Sequence, residues 1–269
     1  MAEKIGFYGS GNMAQGIIQG LLAKGIYQKE DILVYNRRYA PTLEATVQQF
    51  GITPILDAKE LFQQTKLVIL AVKPPVLRTL YPEIKKQIKS EHLLVSLAAG
   101  ITLKELETSL GAHKLLRGMP NTPLAVLEGM TALVGNGRVT EDEFQAVLGL
   151  FNAIGKAREL PEHLFDAFIG VSGSAPAYVY LFIEALADGA VLEGMPREAA
   201  YEFAAQTVLG SAQMVLSTKK HPGELKDQVC SPGGTTIEAV KVLEENHFRS
   251  TVIQAVQAAA QKSRKMQET

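Results

Sequence analysis

The sequence predicts an α/β protein in two parts: a doubly wound parallel sheet over residues 1–161 and an all-helical domain over 162–269. Three observations predict it. A strand-length apolar run, a glycine turn and an amphipathic helix follow one another at the N-terminus. Apolar runs then alternate with helical patterns, the signature of helices wound about a parallel sheet. Beyond Pro161 no strand-like run appears, and the rest of the chain reads as helices with few breaks.

The first strand is Lys4-Ile5-Gly6-Phe7-Tyr8, and Gly9-Ser10-Gly11-Asn12-Met13-Ala14 follows at once in the pattern G-x-G-x-x-A. Met13, Ile17, Ile18, Leu21 and Leu22 recur at helical spacing until Gly25. Strand, turn and helix in immediate succession give the glycine pattern its meaning as a Rossmann-type dinucleotide site. Gly9 permits the tight turn, Gly11 lets a pyrophosphate approach the backbone, and Ala14 keeps helix and strand close. Ser10, Asn12 and Met13 complete the phosphate loop.

The second strand, Ile32-Leu33-Val34-Tyr35, ends in Asn36-Arg37-Arg38. An NAD site usually carries an acid at this corner, bonded to the ribose 2′-hydroxyl. Here no carboxylate stands there, and two guanidiniums suit a 2′-phosphate. The expected cofactor is therefore NADPH, with NADH as the alternative; the arginines argue for preference, not exclusivity.

Next come the fully apolar runs Leu67-Val68-Ile69-Leu70-Ala71-Val72 and Leu93-Leu94-Val95-Ser96, as befits strands covered on both faces. Asp57 with Glu60, Thr102 with Glu105 and Thr140 with Glu143 have capping-box spacing and mark helix starts. Ligands of such sheets bind at the carboxyl ends of the strands. Three segments fall there: Val72-Lys73-Pro74, Ala98-Ala99-Gly100, and Met119-Pro120-Asn121-Thr122-Pro123 after the run Leu115-Leu116. Val72, Lys73, Pro74, Ala99 and Asn121 are the expected cofactor contacts. Lys73 could meet a ribose hydroxyl, and Asn121 offers one donor and one acceptor to a carboxamide.

In the helical part, Ser172-Gly173-Ser174-Ala175-Pro176 starts a long helix, Pro196 opens another ending near Thr218, and a last helix runs from Phe248 to Lys265. Small residues such as Ala185, Ala187, Ala204 and Ala259 let helices approach closely, and broad apolar faces on so short a domain call for a second subunit. Between these helices lies Cys230-Ser231-Pro232-Gly233-Gly234-Thr235-Thr236-Ile237-Glu238. Thr235 and Glu238 have capping-box spacing, which predicts a helix beginning at Thr235. Its first N–H groups could hold a small anion such as a carboxylate.

Composition narrows the function classes. The net charge is −1 with Lys and Arg scattered, so no nucleic-acid partner is expected. Cys230 is the only cysteine, which excludes an internal disulfide and a cysteine zinc cluster; no metal site is expected. The longest apolar stretch, Ala175 to Val191, is broken by Glu184 and Asp188, so no membrane span is expected. A strand begins within a few residues of the N-terminus, leaving no room for a signal peptide, and the expected location is cytoplasmic.

Together, Gly9 to Met13, Val72-Lys73-Pro74, Ala98-Ala99-Gly100, Met119 to Pro123, Gly173-Ser174 with Pro176-Ala177-Tyr178, and His221-Pro222-Gly223 through Thr236 resemble the pyrroline-5-carboxylate reductases over nearly the whole chain. The resemblance implies hydride transfer from NADPH or NADH to the C=N bond of 1-pyrroline-5-carboxylate, giving L-proline. It implies a homodimer of interleaved C-terminal helices, often assembled into a decamer, with an active site between one subunit's nucleotide domain and helical elements that include the partner's. It further implies that backbone N–H groups at Gly234, Thr235 and Thr236 hold the substrate carboxylate, that Thr236 is the catalytic hydroxyl at the imine nitrogen, and that Val229 and Ser231 shape the pocket. The alternatives are a β-hydroxyacid dehydrogenase-type reductase and a non-catalytic NADP(H)-binding protein. Glu162 sits in too thin a motif to be given a role.

Overall fold

The computed structural model describes residues 4–267. Residues up to Gly173, with those from Ala259 onward, form one compact unit, and Ser174–Ala258 form a second.

In the first unit, β1 (Ile5–Tyr8) leads through the glycine turn into α1 (Asn12–Ala23), followed by β2 (Ile32–Tyr35), α2 (Glu44–Phe50) and β3 (Thr53–Ile55). Next come α3 (Ala58–Gln64), β4 (Leu67–Leu70), α4 (Pro74–Gln87), β5 (Leu93–Ser96), α5 (Leu103–Leu110) and β6 (Lys114–Met119). The series ends with β7 (Gly129–Gly135), α6 (Glu141–Ala153), β8 (Gly155–Glu159) and the single turn α7 (Phe165–Phe168). The strands form one sheet in the order β3-β2-β1-β4-β5-β6-β7-β8. Its two faces carry separate cores. Ile17, Ile18 and Leu21 of α1 pack with Val147 and Phe151 of α6 on one face, and Leu61, Leu77, Ile84 and Leu106 of α3 to α5 on the other. This is the doubly wound arrangement the alternating pattern predicts.

The sheet departs from all-parallel at one place. β6 and β7 pair antiparallel, Leu116 opposite Gly135, because the segment joining them is too short for a crossover. Strands β3, β7 and β8 escape the apolar-run criterion for identifiable reasons. β3 is a short edge strand containing Pro54. β7 is bracketed by glycines, and β8 is mostly exposed Lys156, Arg158 and Glu159.

The four capping-box expectations resolve differently. Thr140 and Glu143 form the full reciprocal box: the Thr140 hydroxyl accepts from the Glu143 N–H at 3.3 Å and the Glu143 carboxylate accepts from the Thr140 N–H at 3.0 Å. Thr102 accepts from the Glu105 N–H at 3.1 Å, but Glu105 turns away to Arg78 and Tyr81, both at 2.9 Å. Asp57 caps α3 by accepting from Lys59 N–H at 2.9 Å, while Glu60 accepts from Gln64. The box at Thr235 does not form.

The second unit holds α8 (Ala175–Leu192), α9 (Arg197–Thr218), α10 (Pro222–Val229), α11 (Thr235–Glu245) and the start of α12 (Phe248–Gln267). Ala187, Ala200 and Ala204 form its small buried core, where the absence of larger side chains lets α8 and α9 lie close. Much apolar surface stays open: Leu181 is 66% exposed, Phe203 59% and Leu216 72%. Ala175–Val191 does contain Glu184 and Asp188, but by length and composition alone the stretch Glu162–Leu192 is apolar enough to cross a bilayer. An open apolar face of this kind equally suits burial against another protein chain.

Candidate active site

The β1–α1 turn lies where the sheet order reverses, with β2 on one side of β1 and β4 on the other. That is the switch point at which open α/β sheets bind ligands. Gly9 has φ +111, and its N–H donates to the Tyr35 carbonyl at 2.8 Å, tying the turn to the end of β2. A Cβ on Gly9 would stand 2.7 Å from both the Ala71 carbonyl oxygen and Val72 Cγ1, so the turn presses directly on the end of β4. Gly11 is the N-cap of α1 with no side-chain cap, and a Cβ there would meet nothing within 4 Å. Gln15 fixes the turn by donating to the Ser10 carbonyl at 2.9 Å and to Thr46 at 3.1 Å. The Ser10 hydroxyl is buried with no hydrogen-bond partner among the described residues. An uncapped helix start, an open glycine and an orphaned hydroxyl are the features a pyrophosphate needs. These residues fit a dinucleotide. Gly9→Ala is expected to weaken NADPH binding about tenfold or more, since a forbidden φ and a backbone clash cost on the order of 1–3 kcal/mol. Titration of cofactor fluorescence checks it.

Beside this turn, Tyr8 and Tyr35 stack edge to face at 4.8 Å between ring centres, and the Tyr8 hydroxyl donates to Glu83 at 2.7 Å. Burial, then the Glu83 carboxylate, push the Tyr8 hydroxyl far up, so it stays a donor. Tyr35 leads directly into the corner Asn36-Arg37-Arg38. Asn36 Nδ2 donates to the Arg38 carbonyl at 3.1 Å, closing that corner, and both arginines are exposed. Their guanidiniums are thus available to an anion.

At the end of β4, Lys73 is the exposed N-cap of α4, and Pro74 occupies the first turn of that helix. At the end of β5, Ala98 and Gly100 are buried and Ala99 half-buried, packed against Met119 and Phe165. Val72, Lys73, Pro74 and Ala99 therefore line neighbouring strand ends beside the glycine turn. Asn121 is buried. Its Nδ2 donates to the Ser172 carbonyl and hydroxyl, each at 3.2 Å, and its Oδ1 accepts from Met130 N–H at 2.8 Å. A buried amide so engaged braces the loop after β6.

Sequence reasoning passes over Arg117 and Glu162. Arg117 on β6 is 1% exposed and stacks on Phe165 with its guanidinium carbon 4.5 Å from the ring centre. Glu162 accepts from Arg117 Nη1 at 2.9 Å and from the Leu103 N–H at 2.8 Å, thereby holding the start of α5. An arginine directly after the apolar run Leu115-Leu116 is the signal that could have exposed this pair.

In the helical unit, α11 begins at Thr235 as expected, but its N-cap is Gly234, and no side chain caps it. Gly233 turns at φ +67 and Gly234 is extended, which brings Thr235 into the first helical position, where its hydroxyl cannot sit over the next turn. The N–H of Gly234 itself donates to the Ser231 carbonyl at 3.1 Å, so it closes the turn. The donors at Thr235 and Thr236 lie in the first helical turn, whose N–H groups have no partner within the helix. Ser231, Val229 and Thr235 are exposed and Thr236 half-buried.

With this geometry in hand, comparison with known proteins is specific. Residues 162–266 match the family described as pyrroline-5-carboxylate reductase dimerisation, and residues 4–100 match the family NADP oxidoreductase coenzyme F420-dependent. The chain is 47% identical to the pyrroline-5-carboxylate reductase of Escherichia coli (strain K12), covering 100% of both sequences. It is 43% identical to that of Arabidopsis thaliana, covering 99% of this chain and 96% of the plant protein. Among solved structures, the Plasmodium falciparum pyrroline carboxylate reductase with NADP bound matches at a TM-score of 0.89 and 34% identity, over 99% of this chain and 98% of that one. The Coxiella burnetii pyrroline-5-carboxylate reductase matches at 0.90 and 35%, over the full length of both. This chain belongs to the pyrroline-5-carboxylate reductase family.

Proposed function

We propose that the chain reduces the C=N bond of 1-pyrroline-5-carboxylate with NADPH, forming L-proline, the last step of proline synthesis. The observation that carries this reading is the uncapped start of α11: a set of backbone donors at the positive end of a helix dipole, inside the loop that carries the family motif. A cyclic imine with one carboxylate needs just such an anion hole and a hydroxyl near its nitrogen.

The first turn of α1, with Gly9, Ser10, Gly11, Asn12 and Met13, would hold the cofactor's pyrophosphate, and Arg37 and Arg38 its 2′-phosphate. Val72, Lys73, Pro74 and Ala99 would face its nicotinamide half. When bound, the reduced nicotinamide supplies the hydride. Backbone N–H groups at Thr235 and Thr236, on a turn held shut by Gly234, would bind the substrate carboxylate, with Val229 and Ser231 beside it. The Thr236 hydroxyl would hydrogen-bond the imine nitrogen and so fix the ring's orientation. A protonated imine is already electrophilic, so the protein's contribution is orientation and preset electrostatics, not proton transfer.

In this reading residues 1–161 serve the cofactor and 162–269 serve dimerisation and substrate. The exposed apolar residues of α8 and α9 are covered by a second subunit, and dimers assemble into decamers, which gel filtration with light scattering would measure. Replacing Arg37 or Arg38 by Ala is expected to weaken NADPH about tenfold and NADH by less than about twofold, since each charge-assisted bond to the 2′-phosphate is lost from NADPH alone. Equal losses for both cofactors contradict the assignment. The whole reading is tested by following NADPH absorbance with 1-pyrroline-5-carboxylate, and NADP⁺ reduction with 3-hydroxyisobutyrate. Turnover of the imine alone supports it; turnover of the hydroxyacid alone favours a β-hydroxyacid dehydrogenase-type reductase, and tight NADPH binding without turnover favours a binding protein.

A further inference from the structure

The loop between β5 and α5 is gripped from several sides within the first unit. At its start, the Leu97 N–H donates to the Leu70 carbonyl at 3.1 Å. At its end, Glu162 accepts from the Leu103 N–H. In the middle, Gly100 turns at φ +75, and a Cβ there would lie 3.1 Å from Met266 Cβ and 3.4 Å from the Met266 carbonyl oxygen, in the last turn of α12. That turn is itself fixed by one carboxylate. Asp166 Oδ1 accepts from the buried Ser263 hydroxyl at 2.6 Å and from Gln267 Nε2 at 2.8 Å. Asp166 follows Phe165, which packs against Ala99 and lies under Arg117. Helix end, carboxylate and loop therefore form a closed circuit around Ala98-Ala99-Gly100.

We propose that Asp166 is a positioning residue for cofactor binding: by holding the last turn of α12 against Gly100, it sets the height of the Ala98–Gly100 loop. This rests on the reading that Ala99 lines the cofactor crevice. The hydrogen bonds of Asp166 go to α12, so its effect passes through Met266 and the backbone of α12. A packing role alone requires no acceptor here; two donors on one helix turn that converge on one oxygen do.

The test is NADPH affinity, with KM and kcat measured separately. Asp166→Ala is expected to raise the Kd and KM for NADPH about tenfold, the loss expected for hydrogen bonds to one charged acceptor, with kcat within about twofold. Asp166→Asn, which keeps an acceptor oxygen for Ser263 and Gln267, is expected to restore most of that affinity. Ser263→Ala, which removes one donor only, gives a smaller shift and keeps the test readable if Asp166→Ala does not fold. Unchanged NADPH affinity in both Asp166→Ala and Ser263→Ala overturns the proposal, as does an Asp166→Asn enzyme as impaired as Asp166→Ala. Ala99→Leu separates the two ideas. If it weakens NADPH while the Asp166 and Ser263 variants do not, only the positioning role fails. If it too leaves NADPH affinity unchanged, the loop does not face the cofactor and both fail.

Discussion

Thr236→Ala is expected to lower kcat about 10²-fold while leaving the Kd for NADPH unchanged, the scale set by loss of orientation at a reacting centre. The hydroxyl stands on the second residue of α11, next to the donors proposed for the carboxylate. A bound imine held by its carboxylate alone can still rotate about that anchor. A second contact at nitrogen fixes which face of the ring is presented, and so acts on the reaction step more than on binding. Thr236→Ser, which keeps the hydroxyl, should recover most of the rate. Steady-state kinetics with a separate NADPH titration measure both quantities. An Ala variant with wild-type kcat would remove Thr236 from the mechanism.

Glu162→Ala is expected to destabilise the first unit by about 3 kcal/mol, because a buried cation loses its carboxylate partner among the described residues. Arg117 has no access to water, and its Nε and Nη2 already lack partners among the described residues. Removing Glu162 leaves that charge facing Phe165 alone and also frees the N–H of Leu103. The reverse change is milder. In Arg117→Met the remaining carboxylate is 30% exposed and can be hydrated, and an apolar side chain fits the site. The double variant Arg117→Met with Glu162→Leu should recover much of the loss. Urea unfolding midpoints with a constant slope report these differences. A Glu162→Ala protein as stable as its parent would mean that Arg117 has found another partner.

Much of this architecture is legible in the residues. Strands covered on both faces announce themselves as unbroken apolar runs, so Leu67–Leu70 and Leu93–Ser96 are plain, as is the glycine turn between β1 and α1. The edge strand containing Pro54 and the charged strand Gly155–Glu159 are not, because pairing at a sheet edge leaves no hydrophobic trace. Local spacing also cannot say where a side chain goes once it has a choice. Glu105 could reach back to Thr102 but is drawn to Arg78 and Tyr81, and Asn121 bonds Ser172 and Met130. The same limit hid the brace at Asp166, whose donors lie about a hundred residues away along the chain.

The misread box at Thr235 is the most informative of these. A filled cap would have satisfied the first N–H groups of α11 and removed the reason for an anion there. In the proposed reading the uncapped backbone end binds the substrate's carboxylate, while the Thr236 hydroxyl meets its ring nitrogen. The direct measurement is kcat/KM for NADPH oxidation with 1-pyrroline-5-carboxylate and with 1-pyrroline, which has the same C=N bond and no carboxylate. Loss of the helix-end contacts predicts a value at least about 10²-fold lower for 1-pyrroline, as two charge-assisted hydrogen bonds disappear. Equal values for the two imines would contradict the account.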